Sequence, residues 1–215
     1  YAVPVEVQAA VAPGIPYFEL TGNLAGTTKE AKERVRIAIK NSKFQINPSK
    51  ITINMIPANI RKEGTSYDLA VAVAVLTAVG VIAAKKVSGA LFIGELGLDG
   101  GICNVSSILP MTLCARDNGF TICYVPMGNV GEASLVTGIR VIGISSLREC
   151  VDYINNGCNC RAHIDNNIDN ATDNNIDFAD IRGQASAKRA ITIAAAARHN
   201  LSLIHISEPT RRVVI

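Results

Sequence analysis

The chain has 215 residues, of which 48% are hydrophobic and 18% charged, with a net charge of +3, six cysteines and mean hydropathy +0.25. That is enough apolar material for one full domain and part of another. A charge this small over this length does not by itself argue for nucleic acid, and the distribution of charge matters more.

The first 21 residues alternate, with Val3, Val5 and Val7 between Pro4, Glu6 and Gln8. Pro13-Gly14 then turns the chain into Tyr17-Phe18-Glu19-Leu20, which reads as an edge hairpin. Thr27 with Glu30 forms a capping box, and Ala31, Val35, Ala38 and Ile39 share one face, predicting a helix over 28–42 with a basic outer face. Ile51, Ile53 and Met55 against Thr52 and Asn54 predict a half-buried strand over 50–56. The polar loop Pro57 to Ser66 feeds an apolar helix over 67–80. Its run Leu69 to Ala84 is shorter than the roughly 20 residues that cross a bilayer, and Asp68 and Lys85 flank it, so the reading is a buried helix and no membrane partner.

Beyond it the pattern predicts a buried strand over 91–96, a turn at Asp99-Gly100-Gly101 and a returning strand over 102–105. Helix, strand, helix, strand and helix follow over 110–118, 121–125, 130–137, 141–144 and 146–155. The alternation is α/β, or α+β with hairpins at two points. From 156 to 176 the composition shifts to Asn, Asp and Ile, where helical pairing would stack Asp165, Asp169 and Asp173, and a linker is expected. Asp177 to Gln184 then enters a helix over 185–198, the start of a second domain.

No Cys-x-x-Cys pair occurs, so reduced thiols in the cytoplasm are expected. Cys158 and Cys160, one residue apart and followed by His163, have a poor spacing for zinc, and no metal site is expected. No charged-then-apolar leader precedes Tyr1, and the sequence is expected to begin within a longer reading frame.

Three segments carry a resemblance: Lys32-Glu33-Arg34-Val35-Arg36-Ile37-Ala38-Ile39-Lys40-Asn41-Ser42, Pro57 to Gly64, and Gly94-Glu95-Leu96 with Leu98-Asp99-Gly100. Together, in this order, they resemble the Mg-chelatase-like AAA+ ATPases of the ComM/YifB type. The resemblance covers residues 1–155 and resumes over 177–200. It implies a Lon-protease-like (ribosomal-protein-type) domain at 1–155, the linker at 156–176 and the start of an AAA+ module at 177–200. For the intact protein it implies ATP and Mg as cofactors, a homo-oligomeric ring, and DNA as the partner, remodelled by branch migration in competence. It also implies that Phe178, Ile181 and Gly183 lie near the adenine. A magnesium-chelatase subunit and an inactive Lon-like docking or oligomerisation domain are the alternatives.

The next expected feature of that family is a Gly-rich phosphate loop ending in Gly-Lys-Ser/Thr, whose backbone N–H groups cradle phosphates. This chain has none. Leu201 to Arg211 instead resembles the forward translation of a transposase sequencing adapter, and residues 201–215 are expected to be an adapter-derived tail.

The Lon-like fold hosts a Ser-Lys peptidase in its namesake, and the resemblance puts Ser66 at the nucleophile position. The matching base position falls at or near Leu109, and the only lysine between Lys86 and the tail is Lys188. A serine without a base is a weak nucleophile. No catalytic residue is expected, and Ser66 reads as a helix N-cap worth about 1 kcal/mol. Lys29, Lys32, Arg34, Arg36, Lys40 and Lys43 crowd one helix and its exit against Glu30 and Glu33. Lys32, Arg34, Arg36 and Lys40, with Arg61 and Lys62 on the following loop, are the expected DNA contacts.

Overall fold

The computed structural model describes residues 2–157, 183–197 and 199. The chain divides into two compact units, residues 1–166 and 167–215. The first unit is a mixed α/β domain, as the alternation predicts.

Its first sheet holds β1 (Glu6–Ala12), β2 (Tyr17–Thr21) and β3 (Lys50–Ile56) in the order β1-β3-β2. β3 runs antiparallel to β1, with Ala9 opposite Ile53, and parallel to β2, with Leu20 also opposite Ile53. The expected edge hairpin is therefore corrected: β3 lies between the two strands. The Pro13-Gly14-Ile15-Pro16 link is not the two-residue turn of a tight hairpin, and it spans two strand spacings of about 4.8 Å each. Alternation identifies a strand but not its neighbours. The β3 prediction matches the structure, with Ile51, Ile53 and Met55 all buried.

Helix α1 (Gly26–Asn41) buries Thr28, Ala31, Val35, Ala38 and Ile39. Its N-cap is Ala25, with no side-chain cap, so the capping box at Thr27 does not form. The helix starts earlier because the loop after β3 supplies its partners. Ala25 N–H donates to Lys62 O at 2.9 Å, and Thr28 Oγ1 donates to the Lys62 and Gly64 carbonyls, each at 3.1 Å. Gly22, at φ +121°, makes the turn into this segment with its Cα against the Met55 backbone, leaving no room for a Cβ.

Helix α2 (Asp68–Ala78) is apolar on every side, the signature of a helix surrounded by protein. It touches β1, β3, α1 and the elements that follow, β4 (Ala90–Phe92), β5 (Glu95–Leu96) and α5 (Leu147–Asn156). The strand expected over 91–96 is two short strands. At Ile93-Gly94 the chain leaves one sheet for another, because Gly94 N–H donates to Ser66 O and Gly94 O accepts from Leu69 N–H. A Cβ on Gly94 would meet Ile102 Cγ2 at 2.9 Å. β5 then pairs antiparallel with β6 (Ile102–Cys103) across the Gly97–Gly101 turn.

β4 joins a parallel sheet, order β4-β7-β8, with β7 (Ile122–Pro126) and β8 (Arg140–Ile144). α3 (Ile108–Asp117) and α4 (Val130–Ala133) connect these strands, α4 being shorter than the 130–137 expected. Ile93, Ile108, Cys123, Val125, Val130 and Ala133 form a core on one face of this sheet. The main core, with Tyr124, Ile142, Ile144 and Val151, covers the other. Burial on both faces is what a parallel sheet requires. α5 opens on Ser146, whose Oγ accepts from Glu149 N–H at 3.2 Å.

In the second unit, α6 (Ala185–Ala196) follows Gln184, whose backbone is left-handed at φ 54°. The expected linker (except 156 and 157), Phe178, Ile181 and the tail 201–215 lie outside the described residues. No helix among the described residues is long and apolar enough to cross a membrane.

Candidate nucleic-acid interface

The six expected DNA contacts separate into three environments. Lys62 is fully buried, and its Nζ donates to Pro57 O. Its backbone bridges Leu24, with Lys62 N–H donating to Asn23 O at 3.0 Å. Lys62 staples the loop to the start of α1 and leaves the interface. Sequence reasoning placed it on the surface because lysines are rarely buried.

Arg34 turns inward. Its Nε and Nη2 donate to Asp68 Oδ2 and Oδ1 at 2.8 and 3.0 Å, a bidentate pair on a carboxylate that is 0% exposed. Asp68 Oδ2 also accepts from Leu96 N–H at 3.3 Å. Burial pushes the Asp68 carboxyl above its ordinary value, against the opposing pull of Arg34. Bonding to Asp68 raises the guanidinium further. Next to this pair, Thr65 Oγ1 donates to Glu95 Oε2 at 2.5 Å. The network ties α1, α2, the loop and β5 together, and Asp68 takes the Nε–Nη2 edge of the Arg34 guanidinium. The signal for Asp68 in the sequence is a lone acid opening an all-apolar helix.

The remaining cations stay outside. Lys29, Arg36, Lys40 and Lys43 are exposed and Lys32 half-exposed. Positions 29, 32, 36 and 40 recur at helical spacing, so they line one side of α1 over about 16 Å. Arg36 Nη2 pairs with Glu33 at 2.8 Å. Among the described residues Lys29, Lys40 and Lys43 have no carboxylate within ion-pair distance. Lys32 Nζ stands 5.4 Å from the centroid of the Tyr17 ring, and Arg148 lies 5.1 Å over Phe44. Arg61 sits apart on the loop, paired with Glu63 at 3.2 Å.

Arg61, Glu63, Ser66 and Tyr67 line a cleft of about 500 Å³ with Met111 and Cys114. No lysine or histidine is among its lining residues, and Leu109 is not part of it. Tyr67, not Ser66, is the N-cap of α2, and no side chain caps it. The N-cap role is corrected: Ser66 contributes its carbonyl, which accepts from Gly94 N–H at 3.0 Å. The one carboxylate lining the cleft, Glu63, is paired with Arg61, and the lysine that would activate Ser66 in a Ser-Lys pair is not among the lining residues.

Gly183, the one described residue of the expected adenine group, is exposed with φ +73°. A phosphate-cradling loop needs consecutive backbone N–H groups from a Gly-rich turn at a helix start, plus a lysine. α6 follows Gly183-Gln184-Ala185 with no Gly-Lys-Ser/Thr sequence. The described residues do not fit a nucleotide. Among them, no cluster of three His, Cys, Asp or Glu side chains stands at metal-binding distance.

Comparison with known proteins identifies the set of motifs. Residues 5–129 match the family described as subunit ChlI of Mg-chelatase, and residues 177–208 match magnesium chelatase, subunit ChlI. The second match runs past Asn200 into the segment that resembles an adapter. Competence protein ComM of Haemophilus influenzae is 33% identical over 201 residues, 92% of this chain and 39% of that protein. YifB of Escherichia coli is 33% identical over 204 residues, 94% of this chain and 40% of that protein. An uncharacterized protein of Mycobacterium tuberculosis is 34% identical over 199 residues, 93% of this chain and 39% of that protein. The chain thus spans about two fifths of the length of these relatives. With the first match alone covering more than half of its residues, the chain belongs to the family of subunit ChlI of Mg-chelatase.

Proposed function

We propose that the chain is the front part of a ring-forming AAA+ ATPase of the ComM/YifB type, which uses ATP and magnesium to remodel DNA in the cytoplasm. In this reading the first unit is a Lon-protease-like accessory domain that has no peptidase chemistry and lends a surface to the motor. The observation that supports it is the pairing of two ChlI-family matches in order, 5–129 and 177–208, with an exposed cation row on α1. A relative that is a competence protein agrees with a role on DNA. ATP and magnesium would supply the driving force through a phosphate loop that this chain does not contain. What its own residues do is hold α1 rigidly, through Arg34 and Asp68, with its row of amines facing solvent.

The test is ATP turnover by the intact protein with and without DNA. Turnover that rises with added DNA is expected. Turnover indifferent to DNA would favour a docking role for the domain, and no turnover in either condition would remove the motor reading.

A further inference from the structure

We infer that the outer side of α1 is a track for single-stranded nucleic acid, with cations for the phosphates and a flat group near each end, the Tyr17 ring and the Arg148 guanidinium, for the bases. The inference rests on the DNA reading above and assigns it a surface and a strand preference. Lys29, Arg36 and Lys40 run along one side of the helix, and Lys43 continues the row beyond its end. Beside the first half of the helix lies Tyr17, 48% exposed on β2, with the Lys32 ammonium over its ring. At the exit of the helix, Phe44 carries the exposed Arg148 guanidinium above its face.

Cations alone suit any polyanion. A base needs a flat partner that duplex DNA, with its bases stacked inside, cannot use. Tyr17 offers a half-exposed ring beside the Lys32 ammonium and Arg148 an exposed planar cation above Phe44, and both kinds of group bind bases without regard to sequence. Glu33, beside Arg36 on the helix, is taken up by it. Glu30 lies toward Arg34, at 3.9 Å. Lys62 is excluded from the track by its burial and Arg34 by its pairing with Asp68, whereas Lys29, Lys43, Tyr17 and Arg148 join it.

The experiment measures binding of the intact protein to a labelled oligothymidylate of about 20 nucleotides and to a duplex of equal length, at low and moderate salt. Tighter binding to the single strand is expected, with a salt slope of roughly −0.7 for each phosphate neutralised. The combined variant Lys29→Gln, Arg36→Gln, Lys40→Gln and Lys43→Gln should lose at least about tenfold in affinity and flatten the slope. Tyr17→Ala should lose about 5- to 100-fold on the single strand alone, with the slope unchanged. The replaced residues are on the surface, and an unchanged thermal midpoint would show that the variants fold. If the wild type binds DNA and neither variant changes it, the track is wrong and the DNA reading stands. If the duplex binds as tightly as the single strand and Tyr17→Ala has no effect, the strand preference is overturned. If the wild type binds neither at low salt, the DNA reading itself falls.

Discussion

Arg34 and Arg36 stand two residues apart on one helix, and each pairs with a carboxylate at 2.8 Å, yet the pairs differ in kind. The Arg36–Glu33 pair is 58% exposed on both sides, where water screens it and little net stability remains. The Arg34–Asp68 pair has an acid with no exposure and an arginine with 20%. There two bonds from one guanidinium and a third from Leu96 N–H offset part of the desolvation cost, and burial still raises the carboxyl. Removing one member of such a pair leaves the other charged, buried and alone. Identical chemistry at equal distance thus holds the domain together on one side of α1 and leaves the other side free for partners.

The largest effect should follow Asp68→Ala, which strands Arg34 and frees Leu96 N–H. A loss of about 3–5 kcal/mol is expected in urea unfolding, and a loss below about 1 kcal/mol would mean that the pair is no more than a surface bridge. The same site makes a pH prediction. Because burial raises the Asp68 carboxyl in the folded state, the native protein binds that proton more tightly than the unfolded chain does. Its contribution to stability is full below the ordinary aspartate value and is lost as pH rises through the raised one. The stability difference between wild type and Asp68→Asn should therefore shrink on going from acid toward neutral pH. A difference that grows instead would show that Arg34 outweighs desolvation.

A smaller effect is expected for Ser66→Ala. Its hydroxyl caps nothing, so the change should stay within about 0.5 kcal/mol, in place of the roughly 1 kcal/mol of an N-cap. A full capping loss in thermal unfolding would restore the N-cap role. The smallest effect belongs to Arg36→Ala, at about 0.5 kcal/mol or less and fading with added salt. A salt-independent loss would erase the contrast between the two arginines.

Much of the scaffold was legible in the residues. β3 shows its buried Ile51, Ile53 and Met55 by alternation, and α2 declares itself by an unbroken apolar run too short for a membrane. Ser146 caps its helix, its Oγ accepting from Glu149 N–H while Glu149 Oε2 accepts from Ser145 N–H, whereas Thr27 with Glu30 forms no such cap. The two look alike in sequence. The difference is a loop from 36 residues away, whose Gly64 carbonyl takes the Thr28 hydroxyl and helps set the helix start elsewhere.

For the candidate site, the helical spacing of Lys29, Lys32, Arg36 and Lys40 was enough to place them together, because a single helix carries its own geometry. That Arg34 and Lys62 belong inside was not legible. Each is a charge that only partners distant in sequence or folded in the loop can make bearable: Asp68 on α2 for one, the Pro57 carbonyl for the other. Sequence alone determined the α/β alternation, the family motifs and the lack of any lysine between Lys86 and Lys188, since these depend on residue type and local period. Tertiary structure alone decided that β3 separates β1 from β2, that Ser66 caps nothing, and which cations face solvent. Those outcomes depend on which distant backbone and carboxylate groups desolvate a side chain, and no local pattern encodes them.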